Sequence, residues 1–190
     1  AIVGYISCGD KPELAKLTNV KGTKNISSLQ KPIIFLSTGS VYGEIGDICD
    51  ESVEVNPKTL YAETKLLGEH LVKSVPSVIF RPATAFGLSL KVRHDLLVHT
   101  LIQDAVKNKK IELYQPNARR SFYSVNKLAE LCEFACDNFS SFKEQVYNVG
   151  CGQGNVTKLE IVELIKDHVD FQLEIISGID LDTRDYNVNY

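Results

Sequence analysis

Residues 31–43, KPIIFLSTGSVYG, run an apolar segment directly into a turn made of hydroxyls and glycine. The run PIIFL carries β-branched Ile33 and Ile34 and shows no alternation of polar and apolar positions, which reads as a fully buried strand of a parallel sheet. Ser37, Thr38 and Ser40 then stand at that strand's C-terminal end. Residues 59–75, TLYAETKLLGEHLVKSV, place Leu60, Leu67, Leu71 and Val72 at helical spacing, and Pro76 stops the pattern. SVIFRP (77–82) is the next apolar strand. Strand, helix and strand in this order predict an α/β fold, a doubly wound parallel sheet with helices on both faces.

Towards the N-terminus, AIVGYIS (1–7) reads as a short buried strand stopped by Gly9 and Asp10, and residues 11–29 read as mostly helical. The loop 43–58 carries Glu44, Asp47, Asp50, Glu51 and Glu54, a charge run expected of a solvated connection. Beyond Gly87 the pattern predicts a helix over DLLVHTLIQDAVKN (95–108), a strand IELYQ (111–115), a turn PNARR (116–120) and a strand SFYSV (121–125). A helix KLAELCEFACDNF (127–139), a strand QVYNVG (145–150) and a Gly-rich turn CGQG (151–154) come next. Thr157 and Glu160 form a capping box that opens a last helix, KLEIVELIKDHV (158–169).

Composition narrows the classes of function. The chain has 190 residues, 44% of them hydrophobic, and a formal charge of −3, so it offers no basic field for a nucleic-acid backbone or an anionic membrane. No apolar run approaches the roughly 20 residues of a membrane span, and nothing at the start reads as a signal peptide. A cytoplasmic protein is expected. Five cysteines, Cys8, Cys49, Cys132, Cys136 and Cys151, include no Cys-x-x-Cys pair and no zinc spacing. Cys132 and Cys136, four apart on an expected helix, read as small buried residues, the compartment as reducing, and no metal site is expected. His70, His94, His99 and His168 are scattered and read as surface or packing residues, and Arg81, between an apolar strand and a proline, reads as structural. The chain contains no Met, so it is expected to be part of a longer sequence.

Tyr61 and Lys65 lie four apart and project from one helix face. A phenol titrates near about 10, and an ammonium within a few ångströms favours its phenolate by about 1 to 3 on the pH scale, which brings the tyrosine into the working range of a general base. The pair follows a strand that ends in hydroxyls, and in open α/β sheets ligands bind at the C-terminal ends of strands.

Six segments in order, NVKGTKN (19–25), STGSVYG (37–43), YAETKLLGE (61–69), RPATAFG (81–87), RRSFYSVNKLAE (119–130) and VYNVG (146–150), resemble those of the extended short-chain dehydrogenase/reductases, the family of nucleotide-sugar epimerases and dehydratases. The resemblance implies a Rossmann-like domain with a smaller C-terminal substrate-binding lobe. Residues 1–84 and 122–150 would belong to the NAD(P)-binding domain, with its first βαβ units absent, and 85–121 with 151–190 to the lobe. It also implies a catalytic trio: Thr38 bonds the substrate hydroxyl, Tyr61 takes its proton, and Lys65 lowers the tyrosine's pKa and holds the nicotinamide ribose. By the same resemblance Ser37, Pro82, Ala83 and Thr84 join Tyr61 and Lys65 beside the cofactor. The substrate's nucleotide diphosphate and sugar would fall to Thr38, Ser40, Thr84 and Arg120, with Arg119 the second choice for the arginine. The implied cofactor is NAD, with NADP open, the substrate a nucleotide-diphosphate sugar, and the assembly a homodimer built on the Tyr-Lys helix and the helix before it.

Departures from the family pattern narrow the chemistry. Family dehydratases carry Asp-Glu after the catalytic threonine, where this chain has Gly39 and Ser40, neither of which transfers a proton as a carboxyl does. Gly39 likewise replaces the cysteine of 3,5-epimerases. Transient oxidation and re-reduction remains, as in a 4-epimerase. A one-way NAD(P)-dependent reductase or dehydrogenase is the alternative within the enzymes, and a non-catalytic NAD(P)-binding regulator or scaffold the alternative outside them. Thr84, Ser121 and Asn126-Lys127 also differ from the family pattern, and AIVGYIS resembles only the family's fourth strand. The Gly-rich pyrophosphate loop and the acidic residue that selects NAD are not in this sequence.

Overall fold

The computed structural model describes residues 1–43, 48–90, 92–177 and 187–190. Glu44 and Asp47 of the acidic loop, and residues 178–186 of the expected C-terminal lobe, lie outside the described residues. The chain begins with short helices α1 (Tyr5–Asp10) and α2 (Pro12–Lys16), a π-type turn (Leu17–Lys21) and α3 (Gly22–Ser27). Strand β1 (Ile33–Leu36), a 3₁₀ turn (Gly39–Tyr42), β2 (Ile48–Cys49), α4 (Leu60–Val72), β3 (Ser77–Pro82) and β4 (Thr84–Phe86) follow. Then come α5 (Leu97–Gln103), β5 (Lys110–Tyr114), β6 (Arg119–Ser124), α6 (Val125–Asp137), α7 (Phe139–Phe142) and β7 (Gln145–Val149). The described chain closes with β8 (Asn155–Thr157), α8 (Lys158–Lys166), β9 (Gln172–Ile176) and β10 (Asn187–Val188).

Strands β1, β3 and β7 form a parallel sheet in that order, with Phe35 opposite Ile79 and Phe80 opposite Tyr147. The period-two alternation of a strand sends neighbouring side chains to opposite faces. Val78 and Phe80 pack with Leu128 and Ala135 of α6 on one face. Phe35 and Arg81 meet α4 on the other. Helices on both faces of a parallel sheet are the doubly wound arrangement expected from the sequence. Gly68 allows α4 to sit close, because a Cβ there would stand 2.4 Å from the tip of the Phe35 ring. A second core forms where α5, α8, β5 and β6 meet, around Leu101, Ile111, Phe122, Val162 and Ile165. Parallel β5–β9, parallel β4–β6 and antiparallel β6–β8 pairings frame it.

Several elements depart from the sequence expectation. AIVGYIS is not a strand: Gly4, at φ 93°, turns the chain into α1. A strand needs a neighbouring edge, and Ile2 instead finds a side chain. The Asn19 carboxamide accepts from the Ile2 N–H (2.7 Å) and donates to its C=O (2.8 Å). Strand β1 is half-buried rather than fully buried, with Leu36 40% exposed, and among the described residues only β3 pairs with it. Arg119 and Arg120 belong to β6 rather than to a turn. Cys8 and Cys49 are buried, but Cys132 is half-buried and Cys136 exposed, since α6 turns its Leu128 and Ala135 inward instead. On α4 the buried stripe is Ala62, Thr64, Lys65, Gly68, Glu69 and Val72, whereas Leu67 is 49% exposed. The Thr157–Glu160 capping box is present as expected.

Candidate active site

The first wall of the site is the end of β1. Ser37 continues the pairing with β3 through its N–H to the Phe80 carbonyl (2.7 Å), and Thr38 is still extended. The Thr38 hydroxyl oxygen accepts from the Ser40 N–H at 3.2 Å, capping the 3₁₀ turn, and donates to the Ser40 hydroxyl. Gly43 ends this turn at φ 76°, where a Cβ would lie 2.1 Å from the Asn56 carbonyl oxygen. Only glycine fits there.

The opposing wall is α4. Thr59 caps it, its side chain accepting from the Ala62 N–H at 3.2 Å, and so sets Tyr61 in the first turn with Lys65 and Glu69 at successive four-residue steps. A cavity of about 1770 Å³ runs between the walls. Its lining includes every residue expected beside the cofactor or the reacting sugar: Ser37, Thr38, Ser40, Tyr61, Lys65, Pro82, Ala83 and Thr84. Arg119 and Arg120, expected at the diphosphate, are not among the residues that line it. Strand alternation turns Arg120 inward, to 2% exposure, with its guanidinium donating to the Arg119 carbonyl at 2.8 Å, and leaves Arg119 exposed. The sequence reading preferred Arg120. In this conformation neither guanidinium reaches the cavity wall.

Lys65 is only 6% exposed, and burial pushes its ammonium down to about 8, with the Glu69 carboxylate resisting the fall. Its Nζ lies 4.1 Å from the centre of the Phe35 ring, and no described residue accepts a hydrogen bond from it. Ser37, by contrast, has its hydroxyl committed, donating to Glu69 Oε1 at 2.5 Å. Arg81 completes the Glu69 shell, Nε to Oε1 at 3.0 Å and Nη2 to Oε2 at 2.8 Å, and its Nη1 donates to the Tyr42 hydroxyl at 3.1 Å. Tyr42 in turn donates to Asn148 Oδ1 at 2.7 Å. Burial pushes the Tyr42 phenol up. Burial works against the Arg81 charge, but the Glu69 bonds outweigh it and hold the guanidinium above its ordinary range. The structural role read for Arg81 from the sequence is this network.

Sequence reasoning gave no role to three residues of this region. Glu69 shares the four-residue period of Tyr61 and Lys65, a signal that was available. His99, read as surface or packing, lines the cavity with Nδ1 2.9 Å from the Arg93 carbonyl. A carbonyl only accepts, so Nδ1 carries the proton. Asp95 is the one acid on the described lining, and Arg93 holds it by two bonds of 2.7 and 2.5 Å. Gly39 puts no side chain beside Thr38. The described cavity therefore presents a hydroxyl, a phenol and an ammonium, and no uncommitted carboxyl.

Residues 3–150 match the NAD dependent epimerase/dehydratase family. An uncharacterized UDP-glucose epimerase, YtcB, of Bacillus subtilis is 30% identical over 141 residues, 70% of this chain and 43% of its own length. The UDP-Glc/GlcNAc 4-epimerase of Campylobacter jejuni superposes with a TM-score of 0.83 at 21% identity, over 100% of this chain and 66% of that one. The UDP-glucuronic acid 4-epimerase of Bacillus cereus, solved with UDP-glucuronic acid and NAD, gives 0.77 at 22% identity, over 90% of this chain and 59% of that one. At such identities these structures establish the Rossmann-type fold, and the chain spans about half the length of the curated relatives it matches. With most of its length matched, and its threonine, tyrosine and lysine lining one cavity, the chain belongs to the NAD-dependent epimerase/dehydratase family.

Proposed function

We propose that this chain carries the catalytic centre of an NAD-dependent nucleotide-sugar epimerase, acting at the sugar's C4. The observation that carries the reading is the convergence of Thr38, Tyr61 and Lys65 on one cavity whose only described acid, Asp95, is already held by Arg93. Removing water or carbon dioxide calls for an acid or base beside the reacting carbon, and Gly39 stands where family dehydratases place one. Oxidation followed by reduction calls for one group that removes and returns a single hydroxyl proton. The reading is supported by a neighbouring structure that holds UDP-glucuronic acid with NAD.

The residues present fit a nicotinamide cofactor. The test is Lys65, a buried ammonium on the cavity wall with unsatisfied donors, which suits ribose hydroxyls. Lys65 and Tyr61 would hold the nicotinamide ribose, with Pro82, Ala83 and Thr84 beside the ring; the pyrophosphate loop is not in this sequence. When bound, the cofactor supplies a hydride acceptor that is also the donor for the return step. Thr38 bonds the sugar hydroxyl and holds it towards Tyr61. Tyr61 takes that proton as the carbon is oxidised and returns it after the 4-keto sugar has turned its other face. Lys65 stabilises the phenolate while the proton is away. Arg120, and second Arg119, remain the proposed diphosphate ligands, which requires β6 or its surroundings to rearrange on binding.

The division into a cofactor domain (1–84, 122–150) and a substrate lobe (85–121, 151–190), a homodimer and a cytoplasmic location complete the proposal. Among the described residues no helix is long and apolar enough to cross a membrane. The test is Tyr61→Phe in the intact protein with UDP-sugar pairs followed by NMR. Turnover is expected to fall by about 10²–10⁴-fold with NAD binding retained. Near-normal turnover would sink the assignment, and net consumption of reduced nicotinamide would replace it with a reductase.

A further inference from the structure

Glu69 is 1% exposed and lies one helical turn beyond Lys65 on the same buried stripe of α4. Both its oxygens are bonded: Oε1 by Ser37 and Arg81 Nε, Oε2 by Arg81 Nη2. These three donors come from two other segments, the hydroxyl turn and β3, and they fix the carboxylate in place. The residue preceding Thr38 is thus tied to the helix that carries Tyr61 and Lys65. A guanidinium alone satisfies this pair structurally. Yet a second cation, Lys65, lies one helical turn away on the same buried stripe and has no bonded anion of its own.

We propose that Glu69 is a positioning residue for the reaction: fixed by Arg81 and Ser37, its carboxylate is the counter-charge that keeps Lys65 an ammonium at the cavity wall. Burial of the ammonium against the Phe35 ring favours its neutral form, and a neutral lysine would neither stabilise a phenolate nor donate to ribose at full strength. Other groups do not substitute for Glu69. On α4 itself, Tyr61 is a phenol. From β3, Arg81 is a like charge placed behind the carboxylate. On α1 the Cys8 thiol donates to the Ile2 carbonyl, and burial holds it neutral. Asp10, Glu13, Lys16, Lys21 and Lys24, on the helical segments packed against α4, are exposed to solvent. Arg93 and Asp95, on the cavity wall, are paired with each other.

The inference rests on the reading of Lys65 as the cofactor-side ammonium, but its test needs no turnover. Lysine labelled with ¹³C at Cε is titrated by NMR in the intact protein, and Lys65 is assigned by the resonance lost in Lys65→Arg. Lys65 is expected to titrate near 8, well apart from the other lysines. Glu69→Gln should lower that midpoint by about one on the pH scale. Should Glu69→Gln leave Arg81 too poorly paired to fold, the double change Glu69→Leu with Arg81→Met removes both charges of the pair and should lower it in the same direction by a smaller amount, because the like charge of Arg81 goes with the carboxylate. Ser37→Ala leaves the Glu69 carboxylate paired with Arg81 and should leave the midpoint in place. An unmoved midpoint in the Glu69 variants overturns the proposal, as does an equal fall in Ser37→Ala. Failure of the epimerase reading would appear separately, as normal turnover in Tyr61→Phe.

Discussion

Replacing Arg81 by Met tests the buried network most directly. The change deletes three hydrogen bonds, two to Glu69 and one to the Tyr42 hydroxyl, and leaves a carboxylate of 1% exposure with only the Ser37 hydroxyl as partner. Breaking a buried ion pair on one side costs about 3–5 kcal/mol. At about 2–4 °C per kcal/mol for a chain of this size, Tm should fall by on the order of 10 °C near pH 8. The loss has a sign in pH. Without the guanidinium, burial disfavours the charged form of the stranded carboxylate. The stability contributed by a group with a raised pKa is present below the unfolded value and lost as pH rises through the folded one. The deficit of Arg81→Met should therefore shrink between pH 8 and pH 5. The double variant Glu69→Leu with Arg81→Met strands neither the carboxylate nor the guanidinium and should recover most of the loss at both pH values. Differential scanning calorimetry of the three proteins at two pH values decides it. A single variant that melts with the double, or a deficit that does not change with pH, refutes the reasoning.

Gly43→Ala should destabilise by about 3 kcal/mol or more, from backbone strain and a clash with the Asn56 carbonyl, measured as the shift in urea midpoint at constant m; a change below about 1 kcal/mol would mean that the turn relaxes. Leu67→Lys places a charge on the exposed side of α4 and should leave Tm nearly unchanged while converting the proposed homodimer to monomer in sedimentation velocity. A dimer that persists places its interface elsewhere.

The alternation of strands and helices around residues 31–86 was legible because each strand is an uninterrupted apolar run and each helix has a cap or a proline at its end. The meeting of Thr38 with Tyr61 and Lys65 was legible for a related reason. A strand's C-terminal end and one face of the next helix are brought together by the crossover itself, whatever the rest of the chain does. What periodicity could not supply was the list of neighbours. Strand β1 has the composition of a fully buried strand and pairs on one side only among the described residues, and residues 1–7 have the composition of a strand and become a turn and a helix. Burial in a sheet is decided by what lies alongside, and no local pattern records that. Arg119 and Arg120 show the same limit on a smaller scale, since which of two adjacent residues faces inward depends on where the strand begins.

Helix α4 was misread for a different reason. An amphipathic helix is expected to bury its leucines, and this one buries Thr64, Lys65 and Glu69 while Leu67 faces outward. The inversion follows from the site. A helix that presents a phenol and an ammonium to a cavity must place polar residues on its inner stripe, and each of those needs a partner in a region of low dielectric. Arg81 and Ser37 supply partners for Glu69, Asn19 donates to Thr64 at 3.0 Å, and the ring of Phe35 faces Lys65. Leu67 is left on the outer face, and Leu14, Leu17 and Ile26 of the preceding helical segments are exposed as well. The same four-residue repeat that assembles Tyr61, Lys65 and Glu69 thus leaves Leu67 on the opposite side of the helix, the position at which the proposed homodimer is tested.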